Sequence, residues 1–144
     1  MIKPKKSLGQ NFLQDKNIIK KILNLIKLTN ENIVEIGPGL GALTNEIIAL
    51  KPKKLILIEK DQNLYKRLQS KYISNKNIVI INDNKLNFNF NKLSNYKIIS
   101  NLPYNISTKF LLKTLSMNSN FKEIVCMIQK EVSIKFDYTK KKMN

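Results

Sequence analysis

Five short runs, almost wholly apolar and each of strand length, constrain this sequence more than any other feature. They are Ile33-Val34-Glu35-Ile36, Leu55-Ile56-Leu57-Ile58, Ile78-Val79-Ile80-Ile81, Tyr96-Lys97-Ile98-Ile99 and Ile124-Val125-Cys126-Met127-Ile128. A strand wetted on one face alternates apolar and polar residues, whereas one covered on both faces stays apolar throughout. Between the runs, apolar residues recur at helical spacing: Leu43, Ile47, Ile48 and Leu50, then Leu64, Leu68 and Tyr72, then a segment from Ser107 to about Ser116. Strands alternating with helices predict an α/β fold, a parallel sheet with helices on both faces. Ahead of the first strand, Asp15 is placed to cap a helix carrying Ile18, Ile19, Ile22, Leu23 and Ile26, ending near Leu28-Thr29-Asn30. Residues 1–14 are too polar and glycine-broken for a core element and read as an ordered arm. Asn87-Phe88-Asn89-Phe90-Asn91 reads as asparagine bias in a loop. Gln129 to Phe136 starts another helix, and a Lys-rich tail with no sixth strand follows.

With 144 residues and 42% apolar side chains, the chain suits one folded domain, residues 1–144. No run of about 18 apolar residues would span a membrane, and no signal-peptide core follows the basic N-terminus. A single cysteine, Cys126, lies in an apolar run and reads as a core residue, so a reducing, cytoplasmic setting is expected. The net charge of +16 points to an anionic partner such as nucleic acid. Arg67 is the sole arginine, and Lys, Asn and Ile are all abundant, a bias that AT-rich coding also produces. Without bidentate arginines, RNA affinity is expected to be diffuse and salt-sensitive.

The chemistry gathers at the strand ends, where open α/β sheets bind ligands. The fourth run leads into Ser100-Asn101-Leu102-Pro103-Tyr104-Asn105-Ile106-Ser107-Thr108. Here the Asn101 side-chain carbonyl and a nearby backbone carbonyl, that of Leu102, can each accept one hydrogen of an exocyclic amine. Pro103 fixes φ and removes a competing donor, and Tyr104 offers a face for base stacking. The same residues also make a helix-entry loop with Ser107 as N-cap. The first run ends in Gly37-Pro38-Gly39-Leu40-Gly41, spaced G-x-G-x-G rather than as a dinucleotide-binding G-x-G-x-x-G, so phosphate cradling is not favoured. The second ends at Glu59, placed to accept from both ribose hydroxyls. The third ends at Asp83 and Asn84, which suit an adenine amine and a ring nitrogen. Glu59 also suits a helix N-terminus, and Asp83 a turn. Taken together, the four ends describe an adenosyl ligand without pyrophosphate, which S-adenosylmethionine satisfies. No metal is called for.

Two stretches, Val34-Glu35-Ile36-Gly37-Pro38-Gly39-Leu40-Gly41-Ala42-Leu43-Thr44 and Asn101 to Thr108, resemble the cofactor loop and target-amine motif of the KsgA-type adenine N6,N6-dimethyltransferases of small-subunit ribosomal RNA. The resemblance runs from Lys5-Lys6-Ser7-Leu8-Gly9-Gln10-Asn11-Phe12-Leu13 to Gln129-Lys130-Glu131-Val132. The large-subunit sister enzymes typically carry Ile where this chain has Leu102, and a less glycine-rich first loop. The resemblance implies a Rossmann-like methyltransferase fold and S-adenosylmethionine contacts at Asn11, Leu13, Gly37, Glu59, Asp83 and Asn101. It implies ribosomal RNA of the small subunit as substrate, and an N-terminal arm closing over the cofactor. Asn84 departs from the small or apolar residue usual in the family. The family also continues into further strands and a small helical domain, so this chain is expected to lack both.

These readings imply adenine dimethylation coupled to small-subunit biogenesis. The alternative is a weakly active or inactive assembly factor of the same family. A nicotinamide dehydrogenase is disfavoured by the glycine spacing, and a purely structural RNA-binding module would not need Glu59 and Asp83 at strand ends. The expected strand order is 3-2-1-4-5, with residues 124–128 as an apolar edge prone to self-association.

Overall fold

The computed structural model describes residues 3–5, 12–101, 107–116, 121–128 and 130. Along the chain these form α1 (Lys16–Leu23), β1 (Asn32–Ile36), α2 (Ala42–Ala49), β2 (Lys54–Glu59), α3 (Gln62–Tyr72), β3 (Ile78–Asn82), β4 (Tyr96–Asn101), α4 (Ser107–Ser116) and β5 (Glu123–Met127). A short 3-10 turn, Phe90–Lys92, interrupts the connection from β3 to β4. The sheet is parallel throughout, in the order β3-β2-β1-β4-β5. That is the order expected for the class of fold the sequence resembles. The helix expected from Gln129 and the Lys-rich tail lie outside the described residues, Lys130 apart.

Side-chain alternation divides the core into two layers, one on each face of the sheet. Ile33, Leu55, Leu57 and Ile99 pack with Ile19 and Ile22 of α1 and with Leu43 and Ile47 of α2. Val34, Ile36, Ile56, Ile58 and Ile98 pack on the other face with Phe90 and Phe110. Complete burial of one such side chain stabilises the fold by about 1.5–3 kcal/mol. The central strands are therefore covered on both faces and mostly apolar, with Glu35 and Lys97 as buried exceptions. At the edges the cover thins: Val79 of β3 is 39% exposed, and the apolar residues of β5 are half-buried.

Three local features depart from the sequence reading. The first helix ends at Leu23, not near Leu28, although Asp15 caps it as expected, accepting from the Asn17 and Ile18 N–H groups at 2.8 and 3.3 Å. Beyond Asn24 the chain tightens into an i→i+3 turn, with Leu25 N–H donating to the Ile22 carbonyl. Ile26 and Leu28 still reach the core from this turn, so apolar spacing outruns the helix.

The asparagine-rich stretch is a loop whose phenylalanines belong to the core. Phe90 is 1% exposed and sits edge-on to Phe88, Phe110 and Phe121 at centroid distances of 4.9, 6.0 and 5.7 Å. Asparagines beside them close turns: Asn89, between Phe88 and Phe90, accepts from Asn91 N–H, and Asn84, ahead of the stretch, from Leu86 N–H. Alternating Asn and Phe thus fills the gap that a crossover helix covers elsewhere in such sheets.

Lys97, embedded in the fourth apolar run, is the third departure. Its ammonium is buried at the amino end of β4, donates to the Lys27 carbonyl and pairs with Glu123 at 2.7 Å and Glu31 at 3.5 Å. It joins β4 to β5 and to the turn before β1, at the end of the sheet opposite the chemistry.

Candidate active site

The carboxyl ends of β2, β1 and β4 lie side by side, and the chain reverses direction of travel at β1, between its neighbours β2 and β4. A crevice opens at such a switch point because the connections on either side lead away from it. Gly37, Gly39 and Gly41 follow β1 with φ of +67°, +58° and +84°. The Gly37 N–H extends the ladder by one residue, donating to the Ile58 carbonyl at 2.9 Å. A Cβ at Gly39 would lie 3.3 Å from the Phe12 ring, so a side chain there would fill the space beneath the arm. Gly41 has a different task. A Cβ there would come within 2.6 Å of the Tyr72 hydroxyl, so the residue lets α2 and α3 pack together.

Glu59 ends β2 and is 6% exposed. Its Oε2 accepts from Gly39 N–H at 3.2 Å, and its Oε1 from Asp61 N–H at 2.9 Å. Burial pushes its pKa up, while these two N–H groups and the Lys85 charge pull it back; the net direction is upward. A carboxylate has about four acceptor positions, so each oxygen keeps one for a ligand hydroxyl. The arrangement fits the ribose end of an adenosyl group.

The β3 end is tied to this acid. Asp83 N–H donates to the Glu59 carbonyl at 3.2 Å, and Asn82 Nδ2 donates to the same carbonyl at 2.8 Å. Asn84 N–H donates to Asp83 Oδ1 at 2.6 Å, so this donor is engaged within its own turn. On the other flank, Ser100 Oγ donates to the Ile36 carbonyl at 2.9 Å and fixes the end of β4 against β1. Asn101 follows as the last residue of β4 and is half-buried. It stands at the carboxyl end of the strand, as expected from the sequence.

The arm reaches the site through three described residues. Phe12 lies against Gly39, Leu13 packs on the core layer of α1 and α2, and Lys5 pairs with Asp61 at 2.5 Å. Asp61 also caps α3 through the N–H groups of Asn63 and Leu64. Burial works to raise its pKa, but the Lys5 ammonium and those N–H groups prevail and hold it below the usual carboxylate range. Glu59, Gly37, Gly39, Leu13, Asp83, Asn84 and Asn101 therefore share one end of the fold. Asn11, Leu102, Pro103 and Tyr104 lie outside the described residues.

The sequence reading passed over two buried charges. Lys85, two residues beyond Asp83, turns inward; the only signal was a lysine between two turn-forming asparagines. Glu35 lies in β1, beneath the glycines, and accepts from the Thr44 hydroxyl at 2.7 Å. Its signal was an acid interrupting an apolar run. Burial pushes its pKa up to about 8, opposed by the Thr44 hydrogen bond and aided by the Glu59 charge. Below the unfolded value of 4.5 the carboxyl is protonated in both states and its burial carries no ionisation cost. Between there and about 8 the unfolded chain releases the proton first, so stability falls as pH rises through this window. Glu35→Gln is expected to remove that slope, and its stability relative to the wild type should improve by about 2–4 kcal/mol from pH 5 to pH 8. Urea denaturation at the two pH values checks this; an equal difference at both would refute it.

The parallel 3-2-1-4-5 sheet, with glycines after β1 and an acid at the end of β2, is Rossmann-like, and the solved structures it resembles give it the fold of the S-adenosylmethionine-dependent methyltransferases. The model for the family described as ribosomal RNA adenine dimethylase matches residues 1–139, and the chain belongs to that family. The ribosomal RNA small subunit methyltransferase A of Pelagibacter ubique is 46% identical over 137 residues, covering 92% of this chain and 52% of the relative. Its counterpart in Mycoplasmopsis pulmonis is 42% identical over 134 residues, covering 93% and 52%. The chain thus spans about half the length of these relatives. Among solved structures, a dimethyladenosine transferase from Plasmodium falciparum superposes with a TM-score of 0.75 at 28% identity, over 87% of this chain and 46% of that one. The 23S rRNA methyltransferase ErmE gives 0.77 at 26%, over 89% and 52%. Among the described residues, no helix is long and apolar enough to cross a membrane.

Proposed function

We propose that the chain carries the catalytic half of an S-adenosylmethionine-dependent dimethyltransferase acting on adenine N6 in small-subunit ribosomal RNA. The observation that carries this reading is the juxtaposition of Glu59, the glycine loop and Asn101 across three adjacent strand ends. Glu59 holds the ribose hydroxyls and Asp83 the adenine amine of the cofactor. Gly37 and Gly39 let the backbone come close to its amino-acid end, and Phe12 and Leu13 close the arm over it. When bound, the cofactor supplies an electrophilic methyl group on a sulfonium, which the target nitrogen accepts as the sulfur leaves as a thioether.

This chain's residues then have one task, to aim the nitrogen. Asn101 Oδ1 and the Leu102 carbonyl each accept a hydrogen bond from an N6–H, which draws the lone pair out of conjugation with the adenine ring, and the proton that N6 sheds with each methyl gained passes to water. Tyr104 stacks on the base, and Pro103 keeps the turn free of a rival donor. Positioning of this kind can contribute roughly 7–11 kcal/mol to lowering a barrier. With the chain's net charge of +16, the RNA is drawn in by diffuse, salt-sensitive attraction.

Glu59 offers the simplest check. Glu59→Ala removes a charged acceptor and should weaken S-adenosylmethionine binding by about 1.5–3 kcal/mol in calorimetry. The variant should keep the fold, because the central strands stay covered. Unchanged affinity would remove Glu59 from the site.

A further inference from the structure

Lys85 differs from the surface lysines that give the chain its charge. It is 9% exposed, and its Nζ lies 3.6 Å from where a Cβ on Gly37 would stand. The turn that carries it is firmly held: Asn87 and Phe88 N–H donate to the Asn84 carbonyl, and Leu86 and Phe88 pack into the core. Lys113 of α4 donates to the Leu86 and Phe88 carbonyls and fastens the turn from the other side. With its neighbours committed to the core, Lys85 extends over the strand ends towards the glycine loop.

Among the described residues its ammonium makes no hydrogen bond or ion pair. Among the described residues no fully enclosed side-chain nitrogen or oxygen lacks a partner, so the Lys85 Nζ, beside Gly37, is not fully enclosed. The charges that act on it are Glu59, which attracts, and Lys60, which repels. Glu59 acts on it only as a nearby charge, with neither a hydrogen bond nor an ion pair between the two side chains. Burial lowers the Lys85 pKa to about 8, as expected for a cation short of a counter-ion. A largely buried charge without a partner is costly, and an incoming anion relieves that cost.

We propose that Lys85 is the anion-binding group of the cleft and pairs with the carboxylate at the amino-acid end of the cofactor. This rests on the adenosyl-cofactor reading above. Such a ligand has no phosphate, so its carboxylate is the one anion it can offer. The sulfonium is repelled by an ammonium, which leaves the carboxylate end as the part of the ligand that Lys85 can hold.

The test uses two neutral-sulfur ligands that differ only in that end. S-adenosylhomocysteine keeps the amino acid; 5′-methylthioadenosine lacks it. In calorimetry on the full chain, Lys85→Met should weaken S-adenosylhomocysteine about tenfold or more, the scale of one charged hydrogen bond. Binding of 5′-methylthioadenosine should change less than about twofold, and Lys85→Arg should restore most of the loss. Equal effects on the two ligands, no effect, or tighter binding of S-adenosylhomocysteine would overturn the assignment of Lys85 while leaving the cofactor reading intact. Failure of the wild-type chain to bind either ligand would overturn the cofactor reading and the proposal with it.

Discussion

Asn101→Ala is expected to slow methyl transfer by about 100- to 1,000-fold, the loss seen when one fixed donor or acceptor is removed from a reacting group. Cofactor affinity should fall much less, by under about tenfold. The reason lies in where Asn101 stands. It is the last residue of β4, pinned through Ser100 Oγ to the end of β1, so its side chain is presented by the sheet rather than by a loop. Alanine leaves that backbone in place and removes the acceptor for the target amine. Single-turnover rates and calorimetry on the same variant separate the two effects. Equal losses in both would make Asn101 a cofactor ligand only, and no loss in either would return the motif to a helix-entry loop.

Phe90→Ala should be the most damaging substitution to the fold. Phe90 is 1% exposed at the centre of four phenylalanines, and emptying such a position typically costs about 3–5 kcal/mol. That is a large share of a typical stability of about 5–15 kcal/mol. The damage should also reach the site, because the same segment carries Asp83, Asn84 and Lys85 and is fastened to α4 by Lys113. Urea denaturation gives the stability loss, and hydrogen exchange over residues 84–90 shows where it falls. A loss below about 1 kcal/mol would mean that the aromatic cluster does not support this crossover.

The sheet was legible because a strand covered on both faces has no polar position to hide its pattern. The order of the strands came instead from the class of fold that the motifs resemble. Two kinds of error came from the apolar pattern. Where the apolar spacing continues through a turn, as at Ile26 and Leu28, periodicity carries a helix past its true end. Where period-2 alternation uses asparagine, as in residues 87–91, it looks like a biased loop although every second side chain is committed to the core or to packing beside it. Glu59 and Asn101 could be placed from the sequence because strand ends in this topology face one crevice. Lys85 and Glu35 could not, since what matters at each is the direction of one side chain, and that is set by partners distant in sequence. Lys5 meeting Asp61 across 56 residues is the same case.

The most direct test of the central claim is methyl transfer itself. Small ribosomal subunits lacking adenine dimethylation would be incubated with this chain and labelled S-adenosylmethionine, and their nucleosides separated by mass. N6,N6-dimethyladenosine should appear with wild-type protein and fall to background with Asn101→Ala. Binding of S-adenosylmethionine with no methylated adenine would contradict the catalytic reading and leave a cofactor-binding assembly factor in its place.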